Sequence, residues 1–198
     1  MLALPMRHPF RRKTLSPRLW PVYGLVLLLF WLARPEPLGF GVGLVLIVAG
    51  ESLRVWGAGH LVKNDVLTLT GPYAYVRNPL YAGTLLIGVG FALAAGRAAC
   101  WIVLPAGMML FFFYYFPYKE RIESARLERF YGVPYTVYRA AVPALIPALA
   151  PWRPAGEGGA ASAASWSAAR FTGNDESGTL LAVLLGVLAL MLRPLLSL

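Results

Sequence analysis

Hydrophobic and polar positions in this chain fall into blocks. A basic opening stretch carrying Arg7, Arg11, Arg12, Lys13 and Arg18 precedes a first apolar run over residues 19–33. Arg34-Pro35-Glu36-Pro37 ends that run, because two prolines in four residues forbid helix continuation. A second run opens at Leu38, stays apolar to Gly50, and continues as helix through Glu51, Arg54 and His60. Glu51 and Arg54 stand three residues apart, a spacing that lets them pair on one helix face. Residues 63–70 are polar and β-branched, which predicts a loop. The runs 81–96 and 98–116, separated clearly only by Arg97, predict a helical hairpin. Glycines at 83, 88, 90, 96 and 107 suit close helix approach in lipid. Residues 119–132 are charged and helical in character, and Pro134, Pro143 and Pro147 then cut the chain into short pieces. Residues 151–178, rich in Ala, Gly and Ser, read as a flexible linker. A last apolar run covers 179–192.

The pattern predicts an all-α integral membrane protein of about five transmembrane helices, although several runs fall short of the roughly 20 residues of a perpendicular span. A basic start before a short apolar run also describes a signal peptide, but no small-x-small cleavage site follows, so an uncleaved first helix is expected. Four regions result: 1–37, the basic segment and first helix; 38–147, a membrane core; 148–178, the linker; and 179–198, a C-terminal hydrophobic helix.

Composition agrees. The 198 residues are 58% hydrophobic and 14% charged, against about 25% charged in a soluble domain. Eighteen Lys and Arg against nine Asp and Glu give a net charge of +9. These bases flank apolar runs, so they read as membrane topology rather than as a nucleic-acid surface. With the N-terminus inside, only Arg34, Arg97 and Arg193 lie outside, and the other fifteen of the eighteen face the cytoplasm. That places residues 71–83 and 119–147 together on the cytoplasmic side of what is expected to be a bacterial or archaeal plasma membrane. A single cysteine, Cys100, excludes an internal disulfide, and two isolated histidines, His8 and His60, make no convincing metal site.

The densest polar chemistry lies in Gly71-Pro72-Tyr73-Ala74-Tyr75-Val76-Arg77-Asn78-Pro79-Leu80-Tyr81-Ala82-Gly83. Gly-Pro and Asn-Pro both punctuate, so neither helix nor strand runs through this elbow. Its tyrosines and arginine can stack, donate hydrogen bonds and clamp an anion. On a helical wheel of 119–132, Glu123 shares a side with Leu127 and Phe130, while Arg121, Ala125 and Arg129 lie opposite. An acid on a packed face near a membrane needs a partner or a ligand. An ion pair with Arg77, Arg54 or Arg126 is one reading, and a carboxylate aimed at a ligand held against the elbow is the other. Glu120 and Glu128 read as solvated helix charges.

Two motifs stand in order: Gly-Pro-Tyr-x-Tyr-x-Arg-Asn-Pro-x-Tyr at 71–81, then Glu123-x3-Leu127-x3-Tyr131-Gly132-x2-Tyr135-x2-Tyr138-x3-Val142-Pro143. Together they resemble the isoprenylcysteine carboxyl methyltransferase and phospholipid methyltransferase family of integral membrane enzymes, over roughly residues 38–147. The resemblance implies an S-adenosylmethionine pocket facing the cytoplasm, with cofactor roles for Tyr73, Asn78, Pro79, Leu80, Tyr81 and Glu123. Lys63, Asp65, Val66, Leu67 and Thr68 match a less specific stretch bordering the cofactor. Arg77 and Glu123 are the candidates for catalytic roles, and Lys119 or Arg121 for contact with the substrate. The family usually has Arg-His-Pro where this chain has Arg77-Asn78-Pro79, and Asn cannot titrate near neutral pH. It also often has paired glutamates where this chain has Glu123-Ser124.

The implied function is methyl transfer to a lipidic or prenylated acceptor, with carboxyl O-methylation favoured, because an ionised carboxylate needs no general base. Phospholipid N-methylation and an NADPH-dependent reductase related to sterol reductases are the alternatives. Gly39-x-Gly41-x-Gly43 and Gly88-x-Gly90 mimic a dinucleotide loop but sit inside apolar runs without strand–helix alternation. The expected partners are the lipid bilayer and a lipophilic acceptor, with no nucleic acid and no metal.

Overall fold

The computed structural model describes residues 20–62, 66–154 and 165–196. These are helical throughout their regular structure, with no strand among the described residues. The helices are α1 (Trp20–Leu32), α2 (Pro37–His60), α3 (Pro79–Ala94), α4 (Arg97–Met109), α5 (Phe116–Tyr131), α6 (Val133–Ala141), α7 (Ala168–Gly173) and α8 (Glu176–Leu192). Three helical stretches are long and apolar enough to cross a membrane: Pro37–His60, Arg97–Tyr131 and Glu176–Leu195. The helices Trp20–Leu32 and Pro79–Ala94 are apolar but shorter. Their 13 and 16 residues span about 20 and 24 Å at 1.5 Å per residue, less than a hydrocarbon core of about 30 Å.

Tight packing of α2 on α3 organises the bundle. Gly50 and Gly83 face each other so closely that a Cβ on either would stand 2.6 Å from the other's carbonyl oxygen. Seven residues further along each helix the arrangement repeats, with Gly43 against Gly90. Between helices in lipid, where burial supplies little drive, such backbone approach gains dispersion contacts. Gly88 and Gly107, also expected at close approaches, face open space.

Gly96 makes the α3–α4 turn at φ 98° and sits directly beneath the Arg34 carbonyl, so neither the angle nor the space admits a side chain. The Arg34 amide donates to the Ala95 carbonyl at 2.8 Å. One buried cluster at this end joins Leu29 and Ala33 of the α1 region to Ala94, Ala95, Ala99 and Val103, with Leu190 of α8 closing it. A second joins Ile47, Ile87 and Val183 across α2, α3 and α8. Outward-facing residues such as Leu27, Trp31, Val45, Trp101, Leu181 and Leu185 are large and exposed, as a lipid-facing surface requires.

The fourth apolar run and the charged segment after it form one helical rod. Between α4 and α5, Leu110–Tyr115 winds as a π-helix, with the Phe116 amide donating to the Phe111 carbonyl. Pro117 accounts for the widening, since it lacks the N–H that an α-helix would send to residue 113. The rod covers 35 residues, about 52 Å at 1.5 Å per residue, so its α5 end stands clear of a bilayer core about 30 Å thick.

The described part of the stretch read as a linker is ordered against the bundle. The Trp166 indole donates to the Val55 carbonyl at 3.0 Å, and the Ser167 amide to the Gly59 carbonyl at 3.0 Å. Asn174 donates from one amide nitrogen to the carbonyls of Ala58 and Leu61 at 2.8 and 3.1 Å. Among these acceptors, Ala58 and Gly59 lie in the last turn of α2, where carbonyls have no partner within their own helix.

Candidate functional site

The elbow is a single 3₁₀ turn, Gly71–Ala74, followed by an extended step into α3, whose first residue is Pro79. Proline suits that position because the N–H it lacks would have no intrahelical acceptor. Pro72, Tyr73, Ala74, Val76 and Pro79 are buried. The backbone polar groups of the elbow are taken up by the segment after α6. The amides of Arg77 and Asn78 donate to the carbonyls of Pro143 and Ala144 at 2.8 and 3.1 Å. In return the amides of Ala148 and Trp152 donate to the carbonyls of Tyr75 and Ala74 at 2.9 and 2.8 Å. The Tyr138 hydroxyl donates to the Tyr73 carbonyl at 2.8 Å. Burial raises the Tyr73 and Tyr138 pKa values well above the usual phenol range, so Tyr138 keeps the proton it donates.

The two sequence motifs meet at one bond. The Tyr81 hydroxyl, on the first turn of α3, donates to Glu123 Oε1 of α5 at 2.7 Å. Glu123 therefore takes a phenol partner, while Arg77 and Arg54 pair with Glu120 and Glu176. Aromatic rings surround the pair. Tyr81 packs edge-on against Tyr115 and Phe116 at 5.9 and 6.1 Å, and Phe111 stacks on Phe116. The π-helix supplies Phe111 and Tyr115 to this wall.

Glu120 is the correction that matters most. Read from sequence as a solvated charge, it lies half-buried between α5 and the elbow. The Arg77 guanidinium pairs with Glu120 Oε1 at 2.7 Å, and the Asn78 side-chain amide donates to Oε2 at 3.0 Å. Ser124 is buried and donates to Glu120 Oε1 at 3.2 Å, while itself accepting from the Tyr135 hydroxyl at 2.8 Å. The signal was available on the wheel, because Glu120 falls only about 60° from Glu123. Arg77 also donates from Nε to the Val142 carbonyl at 2.9 Å, and Asn78 from its side chain to the Ala144 carbonyl at 3.1 Å. Both residues thus staple the elbow to α5 and to the 142–144 segment.

Other expected residues scatter. Lys63 and Asp65 lie outside the described residues. Val66 is exposed, Leu67 packs on the Tyr135–Tyr138–Val142 cluster, and the Thr68 hydroxyl accepts from the Val62 amide at 3.1 Å. Leu80 offers its carbonyl rather than its side chain, as described below. Lys119 is half-buried and Arg121 exposed. Phe130, placed inward by the wheel, is 65% exposed with Arg126 over its ring at 5.7 Å. It lines an outer groove of about 540 Å³ with Ile122, Ala125, Arg126 and Arg129, a lining that does not include Glu123.

Beneath the elbow, Arg54 of α2 crosses to two other helices. Its NH1 donates to the Leu80 carbonyl at 3.0 Å and to the Thr84 hydroxyl at 2.6 Å. Its NH2 pairs with Glu176 of α8 at 2.5 Å. The expected Glu51–Arg54 pair gives way to this longer-range one, and both carboxylate oxygens of buried Glu51 have no hydrogen-bond partner. Sequence reading missed Glu176, since nothing local links it to a residue 122 positions earlier.

Comparison with known proteins covers the same region. Residues 40–133 match the family described as phospholipid methyltransferase. Over 104 residues the chain is 32% identical to protein-S-isoprenylcysteine O-methyltransferase of Schizosaccharomyces pombe, an alignment covering 52% of this chain and 42% of that protein. The chain thus spans less than half the length of that relative. No solved structure matches the chain. The family segment contains the elbow, Tyr81, Glu120 and Glu123, while α7 and α8 lie beyond it. Over residues 40–133 the membrane core of this chain is thus similar to the phospholipid methyltransferase family.

Proposed function

We propose that the chain is an S-adenosylmethionine-dependent membrane methyltransferase acting on a lipidic acceptor, with carboxyl O-methylation of an isoprenylcysteine type favoured. The observation that carries this reading is the Tyr81–Glu123 bond, which joins the two motif elements inside an aromatic wall. The donor set fits the cofactor. One oxygen of Glu123 accepts from Tyr81, and a carboxylate retains capacity for an ammonium or hydroxyl donor. Tyr81, Tyr115 and Phe116 present rings suited to a cation or to adenine. When bound, the cofactor supplies an electrophilic methyl group on a sulfonium.

The protein's part is positioning. Glu123 and Tyr81 would hold one end of the donor, while the Arg77–Glu120–Asn78 staple holds the elbow in register with α5. Attack of an ionised acceptor on a sulfonium would neutralise opposite charges, which the aromatic wall around Tyr81 would favour by excluding water. No base is needed. The acceptor named for the Schizosaccharomyces pombe relative supports this choice, and the family description supports phospholipid N-methylation as the second reading. An amine acceptor must lose a proton, and His60 is the sole histidine among the described residues.

The test is calorimetry on the full chain in nanodiscs with S-adenosylmethionine, S-adenosylhomocysteine and NADPH, followed by radiolabelled methyl transfer. Affinity for the first two and label appearing in an alkali-labile prenylcysteine ester support the reading. Label in phosphatidylethanolamine selects the second reading, and affinity for NADPH alone overturns both.

A further inference from the structure

Arg54 stands between two acids and bonds one of them. Glu176 holds its NH2 at 2.5 Å, and Thr179 of the same helix offers a hydroxyl at 3.4 Å. Glu51, three residues earlier on the same face of α2, is 8% exposed, and both its oxygens and Arg54 Nε lack partners. Glu51 lies close enough to both Arg54 and Glu176 to interact with them electrostatically. The side chain that α8 pulls on is also the one that grips the first turn of α3, through the Leu80 carbonyl and Thr84. That turn carries Tyr81. A continuous path therefore runs from Glu176 through Arg54 and the Leu80 carbonyl to Tyr81 and Glu123.

We propose that Glu176, on a helix outside the family segment, is a positioning residue of the methyl-donor site: it holds Arg54 on α3 against the rival pull of Glu51 and so sets Tyr81 opposite Glu123. The proposal rests on the methyltransferase reading above. Without the Glu176 carboxylate, Glu51 is the acid left to Arg54 within its own cluster. A guanidinium buried among helices moves to the available charge, because an unpaired buried ion is costly. Turning toward Glu51 takes Arg54 off Leu80 and Thr84 and loosens the turn that carries Tyr81. Substituting both acids removes the rival, and Arg54 then stays on its two oxygen acceptors of α3.

The experiment compares wild type, Glu176→Gln, Glu51→Gln and the double variant as full chains in nanodiscs, reading S-adenosylhomocysteine affinity and melting temperature for each. Glu176→Gln is expected to weaken binding about tenfold, the scale of couplings within one buried network. Glu51→Gln leaves binding unchanged. The double variant recovers affinity to within about threefold of wild type while melting no higher than Glu176→Gln, because its guanidinium has lost both neighbouring acids. A purely structural pair moves affinity and melting together, so a double variant as weak in binding as Glu176→Gln overturns the proposal. Loss of binding in Glu51→Gln alone also overturns it, by making Glu51 a ligand group. If the wild type itself fails to bind, the methyltransferase reading falls, an outcome distinct from failed rescue in a binding protein.

Discussion

Asn78 shows what a neutral amide can do within this motif. Its side-chain nitrogen donates to Glu120 and to the Ala144 carbonyl, two acceptors on different segments. A neutral imidazole has one N–H to offer, whereas an amide nitrogen has two. Asn78→Asp replaces those donors with an acid facing Glu120, and is expected to destabilise the fold by about 2–3 kcal/mol. A melting curve in nanodiscs checks it, with no change as the refuting result. The Tyr81–Glu123 bond makes a second claim at this scale. Tyr81→Ala and Glu123→Ala should each weaken binding of S-adenosylhomocysteine by about tenfold or more, as loss of a hydrogen bond to a charged group implies. Glu128→Ala, on an exposed position of the same helix, should leave it unaltered. Equal losses in all three variants would remove the argument that Glu123 has a privileged place.

Among elements, the α2–α3 contact governs whether the site can assemble, because Arg54 and Tyr81 sit on its two sides. Gly50→Ala places a methyl 2.6 Å from the Gly83 carbonyl oxygen and must push the helices apart. The expected cost is about 1–3 kcal/mol, as for overpacking elsewhere. Gly88→Ala meets nothing within 4 Å and should be neutral or slightly stabilising, since alanine is the better helix former by about 1 kcal/mol. Unfolding of the two variants in parallel separates a packing glycine from an incidental one. The π-helix between α4 and α5 belongs to this scale too. By widening the rod at Leu110–Tyr115, it brings Phe111 and Tyr115 round to the Tyr81 side, which regular winding read from sequence does not anticipate.

Across the whole molecule, the turns bearing Arg34 and Arg97 meet at one end of the bundle, where Arg97 and Glu36 make an exposed pair at 3.5 Å. Elbow, α5 and α6 gather at the other. With the bases distributed as the positive-inside rule requires, the elbow end is expected to face the cytoplasm. In a Cys100→Ser background, a cysteine introduced at Arg121 should react with an impermeant maleimide only in inside-out vesicles, and one at Arg97 only in right-side-out ones. The reverse pattern would invert the topology.

Much of this organisation was legible before any coordinates. Apolar blocks broken by prolines marked the helices, because proline and hydrophobic run length act locally. The elbow, Tyr81 and Glu123 stood out for the same reason: turn chemistry and wheel position are properties of single segments. Choice of partner is not. Glu120 finds Arg77 across 43 residues, Tyr138 finds the Tyr73 carbonyl across 65, and Arg54 finds Glu176 across 122. Each depends on how closely separate elements approach, and between α2 and α3 that approach is set by glycines meeting glycines. Sequence by itself determined the apolar helices, the elbow and the acidic helix that faces it. Only the tertiary structure decided that Glu120 staples the elbow, that Arg54 turns from Glu51 to Glu176, and that Tyr81 meets Glu123, because a buried charge bonds whichever partner packing brings within reach.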